Sequence, residues 1–405
     1  MRRALAGLTT RGRSFVAAGA TAIVCAFVLG ERDLLRAGVL VLVLPLLSTL
    51  AVSRTRYRLA CARRLRPARL PAGQESRVDL RLENVSRLPS GLLMVEDQVP
   101  YALGGQARFV LDRIEPRGHR RLSYRLRSDV RGRYRVGPLV VRLTDPFGMV
   151  ELVRSFSLSD TLTVTPVVVP LPPGRPVGGR AGEGETVART LAMAGDDDVA
   201  PREYRHGDDL RRVHWRSTAR RGELMVRREE QHTRDSAAVF LDTRRSAYWG
   251  DGAASSFEQA VSAAASAGVH LARSGMPVSL VTDAGERVPA TASGGTFEGL
   301  LLEALAVVTR SDERSLTPGL AALRTGGGTV VGVFGELTEA DVRSMPAVRR
   351  GDGAHVAVVV ARPDRRSPAV RALRAAGWQV LPITTAADLT AAWGAVAGLQ
   401  AGYGA

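Results

Sequence analysis

Two stretches concentrate the residue types that do chemistry. "REYRHGDDLRRVHWRSTARRGELMVRREE" (202–230) mixes arginines, acids, two histidines and Trp215, and "DTRRS" (242–246) places Asp242, Arg244 and Ser246 at alternate positions. Catalysis in the first stretch would need a nucleophile or an acid/base pair with its partner. Only His214 near Asp208 or Asp209 offers one, and no Ser or Cys is evidently coupled to it. Nucleic-acid binding would use the arginines with Tyr204 and Trp215 stacking, but Glu203, Asp208, Asp209, Glu223, Glu229 and Glu230 would repel phosphates. The third reading is an electrostatic joint. Gly207 breaks the chain, Asp208 and Asp209 suit the amino end of a helix, and Gly222 stops it. Leu210 and Val213 then anchor the helix, while Arg211, Arg212, Arg216 and Arg220 offer fork-shaped pairing to carboxylates. The stretch is therefore expected to supply partner-binding or interdomain residues, Arg202, Tyr204, Gly207, Asp208, Asp209, Arg211, Arg212, His214, Trp215, Arg220 and Gly222, with no catalytic residue and no enzyme.

The elements around these stretches follow from hydropathy and charge. The 405-residue chain is too long for one ordinary core. "SFVAAGATAIVCAFVLG" (14–30) and "AGVLVLVLPLLSTLAV" (37–52) contain no charge and are joined by "ERDLLR". Each is near the length that crosses a bilayer as a helix, so residues 1–55 are expected to form a transmembrane hairpin with spans at about 14–30 and 35–52. Residues 1–70 carry 13 Arg against Glu31 and Asp33, and the rest of the chain carries 43 Arg against 38 acids. The net charge of +16 is therefore mostly a membrane flank and a weak sign of nucleic acid. Arginine before the first span and after the second places both termini in the cytoplasm. The chain has no Lys, which fits a GC-rich genome, and Cys25 and Cys61 cannot build a disulfide framework or a thiol metal site.

Residues 56–170 read as short alternating strands separated by turn signals, an antiparallel sandwich of immunoglobulin-like type. "RGRYRVGPLVVRLTDPFGMVE" (131–151) within it reads as a corner that fixes strand register. Residues 171–200, rich in Pro, Gly and acids, read as a linker. From 201 to 405, apolar strands alternate with helices, which predicts a doubly wound α/β sheet with ligands at the carboxyl ends of its strands. The fold class is thus α+β multidomain.

Residues 202–230 and 131–151 resemble the DUF58 family, and the order of spans, β-domain, signature and α/β domain agrees over nearly the whole chain. The chain looks actinobacterial. The resemblance implies a von Willebrand factor A-like C-terminal domain and, as partners, a MoxR-type AAA+ ATPase and a transglutaminase-like membrane protein. Metal-binding von Willebrand A domains carry Asp-x-Ser-x-Ser after the first strand. Asp242 and Ser246 match, but Arg244 stands where the first Ser should be and would put a positive charge in the place of Mg²⁺. No cofactor is expected, and an ion pair of Arg244 with Asp242 or a nearby acid replaces the metal. The overall expectation is a membrane scaffold or adaptor that binds proteins and the lipid bilayer but no nucleic acid. The alternative is a divalent-metal-dependent ligand-binding domain using Asp242 and Ser246.

Overall fold

The computed structural model describes residues 7–54, 59–87, 89–145, 147–176, 201–203, 218–220, 222–223, 225–227, 236–288, 295–323, 328–345, 353–362 and 368–397. The chain forms two compact units, Met1–Thr165 and Pro166–Ala405.

The first unit opens with helices α1 (Thr10–Leu29) and α2 (Arg32–Arg54), both long and apolar enough to cross a membrane. Both helices extend beyond the uncharged stretches, and in α1 capping, not hydropathy, sets the ends. Thr9 accepts from the Gly12 amide to start α1, and Gly30 ends it in the left-handed region at φ 73°. The helices touch at small residues. A Cβ on Gly19 would stand 2.9 Å from Leu42 N and Cβ, and one on Gly38 2.9 Å from Ile23 Cγ1, so glycine permits this approach. Pro45 lies inside α2, where the Thr49 hydroxyl donates to the Pro45 carbonyl at 2.7 Å.

Ten strands follow: β1 (Leu59–Arg66), β2 (Arg69–Pro71), β3 (Glu75–Asn84), β4 (Leu92–Asp97), β5 (Ala107–Leu111), β6 (His119–Arg127), β7 (Gly132–Val136), β8 (Leu139–Thr144), β9 (Glu151–Phe156) and β10 (Asp160–Thr165). They pair as β1-β3-β6, β2-β10-β7 and β5-β4-β8-β9. Alternation aims Val78, Leu80 and Leu82 of β3 at Leu93, Val95, Leu139, Val141 and Leu162 from the other sheets, giving one apolar core.

The 131–151 motif forms the corners around β7, β8 and β9. The Tyr134 hydroxyl donates to the Val130 carbonyl at 2.8 Å, a tyrosine corner of the kind found in Greek-key sandwiches. Gly132 leaves room for that ring, since a Cβ there would lie 3.2 Å from it. Gly137 has φ 110°, and its Cβ would meet the Leu158 carbonyl at 2.5 Å and Arg63 Nη1 at 2.9 Å. Arg63 is buried, forks onto the buried Asp97, and donates from Nη1 to the Val136 and Leu158 carbonyls at 3.0 Å. Tyr124 also donates to Asp97 at 2.6 Å, so the polar groups brought inside are hydrogen-bonded. Finally, Asp145 accepts from the amides of Met149 at 2.6 Å and Val150 at 2.7 Å, closing the β8–β9 corner.

In the second unit a short ladder pairs β11 (Pro201–Glu203) with β12 (Met225–Arg227). The main sheet contains β13 (Ala237–Leu241), β14 (Val278–Thr282), β15 (Arg287–Val288), β16 (Thr329–Phe334), β17 (His355–Val360) and β18 (Gln379–Ile383), in the order β15-β14-β13-β16-β17-β18. All are parallel except the edge strand β15, which runs antiparallel to β14. Both faces are covered, so the strands read as continuous apolar runs. Helices α3 (Ser256–Arg273), α4 (Gly295–Val307) and α8 (Asp388–Gly394) share a core with Val239 and Leu241. On the opposite face α5 (Thr317–Leu323), α6 (Glu339–Ser344) and α7 (Pro368–Ala375) pack with Phe240 and Phe334.

The linker expected over 171–200 divides. Residues 171–176 lie along α3 and α8 as an extended arm, while 177–200 lie outside the described residues. The arm begins upstream, where Val169 N donates to Ser266 Oγ at 2.9 Å and Thr390 Oγ1 donates to the Pro170 carbonyl at 3.0 Å. His270 Nε2 then donates to the Gly174 carbonyl at 2.8 Å, and Arg175 donates to Ser274 O at 2.6 Å. Backbone carbonyls with such partners behave as part of the folded unit.

Candidate functional site

Strands β13 and β16 are neighbours whose onward connections run to opposite sides of the sheet, so their carboxyl ends border the crevice where doubly wound folds bind ligands. Asp242 is the first residue after β13, and its amide donates to the Val333 carbonyl of β16 at 2.9 Å. The carboxylate is fully buried. Arg244, two residues on, turns back onto it as a fork: Nε lies 2.9 Å from Oδ1 and Nη2 lies 2.9 Å from Oδ2. The remaining guanidinium nitrogen, Nη1, donates to Asp341 Oδ1 at 2.9 Å.

Asp341 is held from the other side by its own helix. Its Oδ2 accepts from Thr338 N at 2.9 Å and Thr338 Oγ1 at 2.8 Å, the reciprocal capping box that starts α6. A third buried acid, Asp283 after β14, accepts from Thr243 N at 2.6 Å, Thr243 Oγ1 at 2.5 Å and Ser311 Oγ at 2.6 Å. The Tyr248 hydroxyl donates to the Asp242 carbonyl at 2.6 Å. Arg244 therefore cross-links the end of β13 to the first turn of α6, which follows β16, the two sides of the switch point.

The electrostatics follow from burial. Burial works against the Arg244 charge, but the hydrogen bonds and fields of Asp242 and Asp341 outweigh it and hold the guanidinium above its ordinary value. Burial pushes the Asp242 carboxyl up from its usual range, opposed by the Arg244 fork. Burial, followed by the nearby Asp242 charge, keeps the Tyr248 phenol neutral well above its usual value.

A divalent ion does not fit this donor set. Both Asp242 oxygens are engaged by a permanently charged guanidinium that would have to leave first. Ser246 is exposed in the short 3₁₀ turn Arg245–Ala247, and among the described residues no three His, Cys, Asp or Glu side chains group as metal ligands.

The signature is covered only at its ends. Arg202 belongs to β11, opposite Val226. Arg220 is exposed in the helical residues 218–220, and Gly222 follows with φ 74° and its amide bonded to the Thr218 carbonyl at 2.9 Å, the geometry of a helix stop. Tyr204, Gly207, Asp208, Asp209, Arg211, Arg212, His214 and Trp215 lie outside the described residues. Sequence reasoning missed Asp341, which the spacing Thr338…Asp341 ahead of an apolar Val342 signals as a helix start. It also missed Thr243 and Ser311, which carry no signal beyond their hydroxyls.

Residues 200–374 match the DUF58 family model, described as "Protein of unknown function DUF58". That stretch holds the signature, Asp242, Arg244, Asp283 and Asp341 together. No curated protein matches the chain. Among solved structures, the CARDB domain of the PF1109 protein from Pyrococcus furiosus is similar with 12% identity and a TM-score of 0.21, covering 27% of this chain and 93% of that one. A Listeria innocua beta-glucosidase is similar at 15% identity and a TM-score of 0.18 over 27% of this chain and 16% of that one. The alkylpurine DNA glycosylase AlkC of Pseudomonas fluorescens is similar at 14% identity and a TM-score of 0.19 over 33% and 40%. Similarities this low carry no argument about the DUF58-matched region or the rest of the chain.

Proposed function

We propose that this protein is a membrane-anchored scaffold whose von Willebrand A-like domain binds a protein partner without a metal ion. The observation that carries the reading is Arg244, whose guanidinium joins Asp242 to Asp341 at the switch point. A cation is thereby built into the fold where a metal-dependent relative would recruit one. The sheet order, with an antiparallel edge strand and an acid directly after the first strand, supports the von Willebrand A-like assignment. The two apolar helices support anchoring in the cell membrane with two spans, and the arginines on their outer flanks support cytoplasmic termini.

The partner class is a MoxR-type AAA+ ATPase, with a transglutaminase-like membrane protein as a further component. Arginines of the 202–230 signature, in excess over its acids, would meet an acidic surface, a contact that weakens with salt. Capture of the purified ATPase on the full chain in nanodiscs tests this. Wild type is expected to retain the ATPase and Arg211→Glu/Arg212→Glu to lose it. Failure of the wild type to retain it removes the partner assignment.

A further inference from the structure

The β8–β9 corner, which carries Asp145, Phe147, Gly148 and Met149, is bound to the beginning of the membrane hairpin. Thr9 donates from its amide to the Met149 carbonyl at 2.9 Å and from its hydroxyl to the Gly148 carbonyl at 2.7 Å, while Glu151 N donates to Gly7 O at 2.8 Å. A Cβ on Gly12 would collide with the Met149 carbonyl, so helix and corner are in direct backbone contact. Met149 and Val150 are buried with Leu8 and Leu44 packed against them.

These contacts set a depth. Gly12 is two residues, about 3 Å of helix, ahead of Ser14, where the uncharged stretch of α1 begins. Leu44 lies inside the uncharged stretch of α2. The headgroup layer on each side of the hydrocarbon is several ångströms thick, so a corner seated here lies within it. Phe147 is 58% exposed at the tip of this corner, and Arg11 Nη1 lies 3.7 Å from where a Gly148 Cβ would be. An exposed aromatic beside an arginine that can reach phosphate is the pairing that interfacial segments present to lipid.

We propose that the β8–β9 corner is a bilayer-interface anchor, with Phe147 inserted at the headgroup–acyl boundary and the sandwich thereby fixed at the membrane surface. The inference rests on the hairpin spanning the bilayer, and the test separates the two. Phe147→Cys, in a Cys25→Ala/Cys61→Ala background, is labelled with an environment-sensitive dye and the full chain is placed in phosphatidylcholine/phosphatidylglycerol nanodiscs. Spin-labelled lipids then quench the dye by depth. Val28→Cys, from an 80% exposed position in α1, reports the span, and Tyr101→Cys, from a 95% exposed position beyond the opposite end of β4, reports water. The expected result is a loss of fluorescence at 147 that is greater with the spin label near the headgroup than near the chain end, with no loss at 101. Loss at 28 but none at 147 overturns the anchor and leaves the span standing. Protection of 147 from aqueous quencher without lipid quenching also overturns it, in favour of a protein contact. No loss at 28 or 147 overturns both.

Discussion

Removing the Arg244 guanidinium leaves Asp242 and Asp341 buried with no cation between them. Breaking a buried pair from one side typically costs about 3–5 kcal/mol, so Arg244→Ala is expected to lower stability by that order in thermal unfolding of the full chain. Arg244→Lys should recover only part of the loss, because an ammonium is a single point charge that cannot fork onto Asp242 while reaching Asp341. Equal stability of Arg244→Ala and wild type would show that the bridge carries no structural role. Cys61 offers a second test at this scale. Burial pushes its thiol up to about 11 against the pull of Arg63, so at pH 8 it stays protonated. Alkylation of Cys61, followed by mass spectrometry, is expected to be slow at pH 8 and to rise steadily toward pH 11 as the thiolate forms. A rate already saturated at pH 8 contradicts that burial. Neither arginine's role was fully readable beforehand. Arg244 announces itself by standing where the resemblance expects a metal-ligating Ser, but Asp341 is legible only as a helix cap. Arg63 sits in "ACARRLRPAR", where residue type alone does not separate the buried guanidinium from its exposed neighbours.

The elements are held by close approaches that tolerate little added volume. Gly38→Leu would drive a side chain into Ile23 of α1, and overpacking of this kind costs about 1–3 kcal/mol, so the hairpin should separate at lower detergent concentration than wild type. Unchanged resistance, measured by the loss of a cross-link between the two helices, would contradict the described packing. Tyr134→Phe removes the short hydrogen bond to the Val130 carbonyl that makes the tyrosine corner and is expected to cost about 1 kcal/mol in thermal unfolding. Hydropathy made the major elements legible: the strands of the α/β sheet are apolar because both faces are covered, and α1 and α2 are uncharged through most of their length. Edge strand β15 was not legible, since Arg287–Val288 is two residues long and half charged. Nor was the docking of residues 171–176, because proline-rich sequence reads as linker whether it is solvated or laid along a helix.

At the scale of the molecule, the proposed topology rests on the flanking arginines. Asp33→Cys in the exposed first turn of α2 is expected to react with a membrane-impermeant maleimide added outside intact cells, and Tyr101→Cys is not. The reverse pattern inverts the chain. The order of hairpin, sandwich and α/β domain was readable from changes of hydrophobic period along the sequence. The role proposed for the α/β domain was not, because it rests on where one guanidinium points. In the proposed function Arg244 takes the place of a metal ion between Asp242 and Asp341. Isothermal titration of Mg²⁺ and Mn²⁺ into the full chain tests this most directly. Wild type and Asp242→Ala are expected to give the same null heats, whereas saturable binding by wild type that disappears in Asp242→Ala would contradict it.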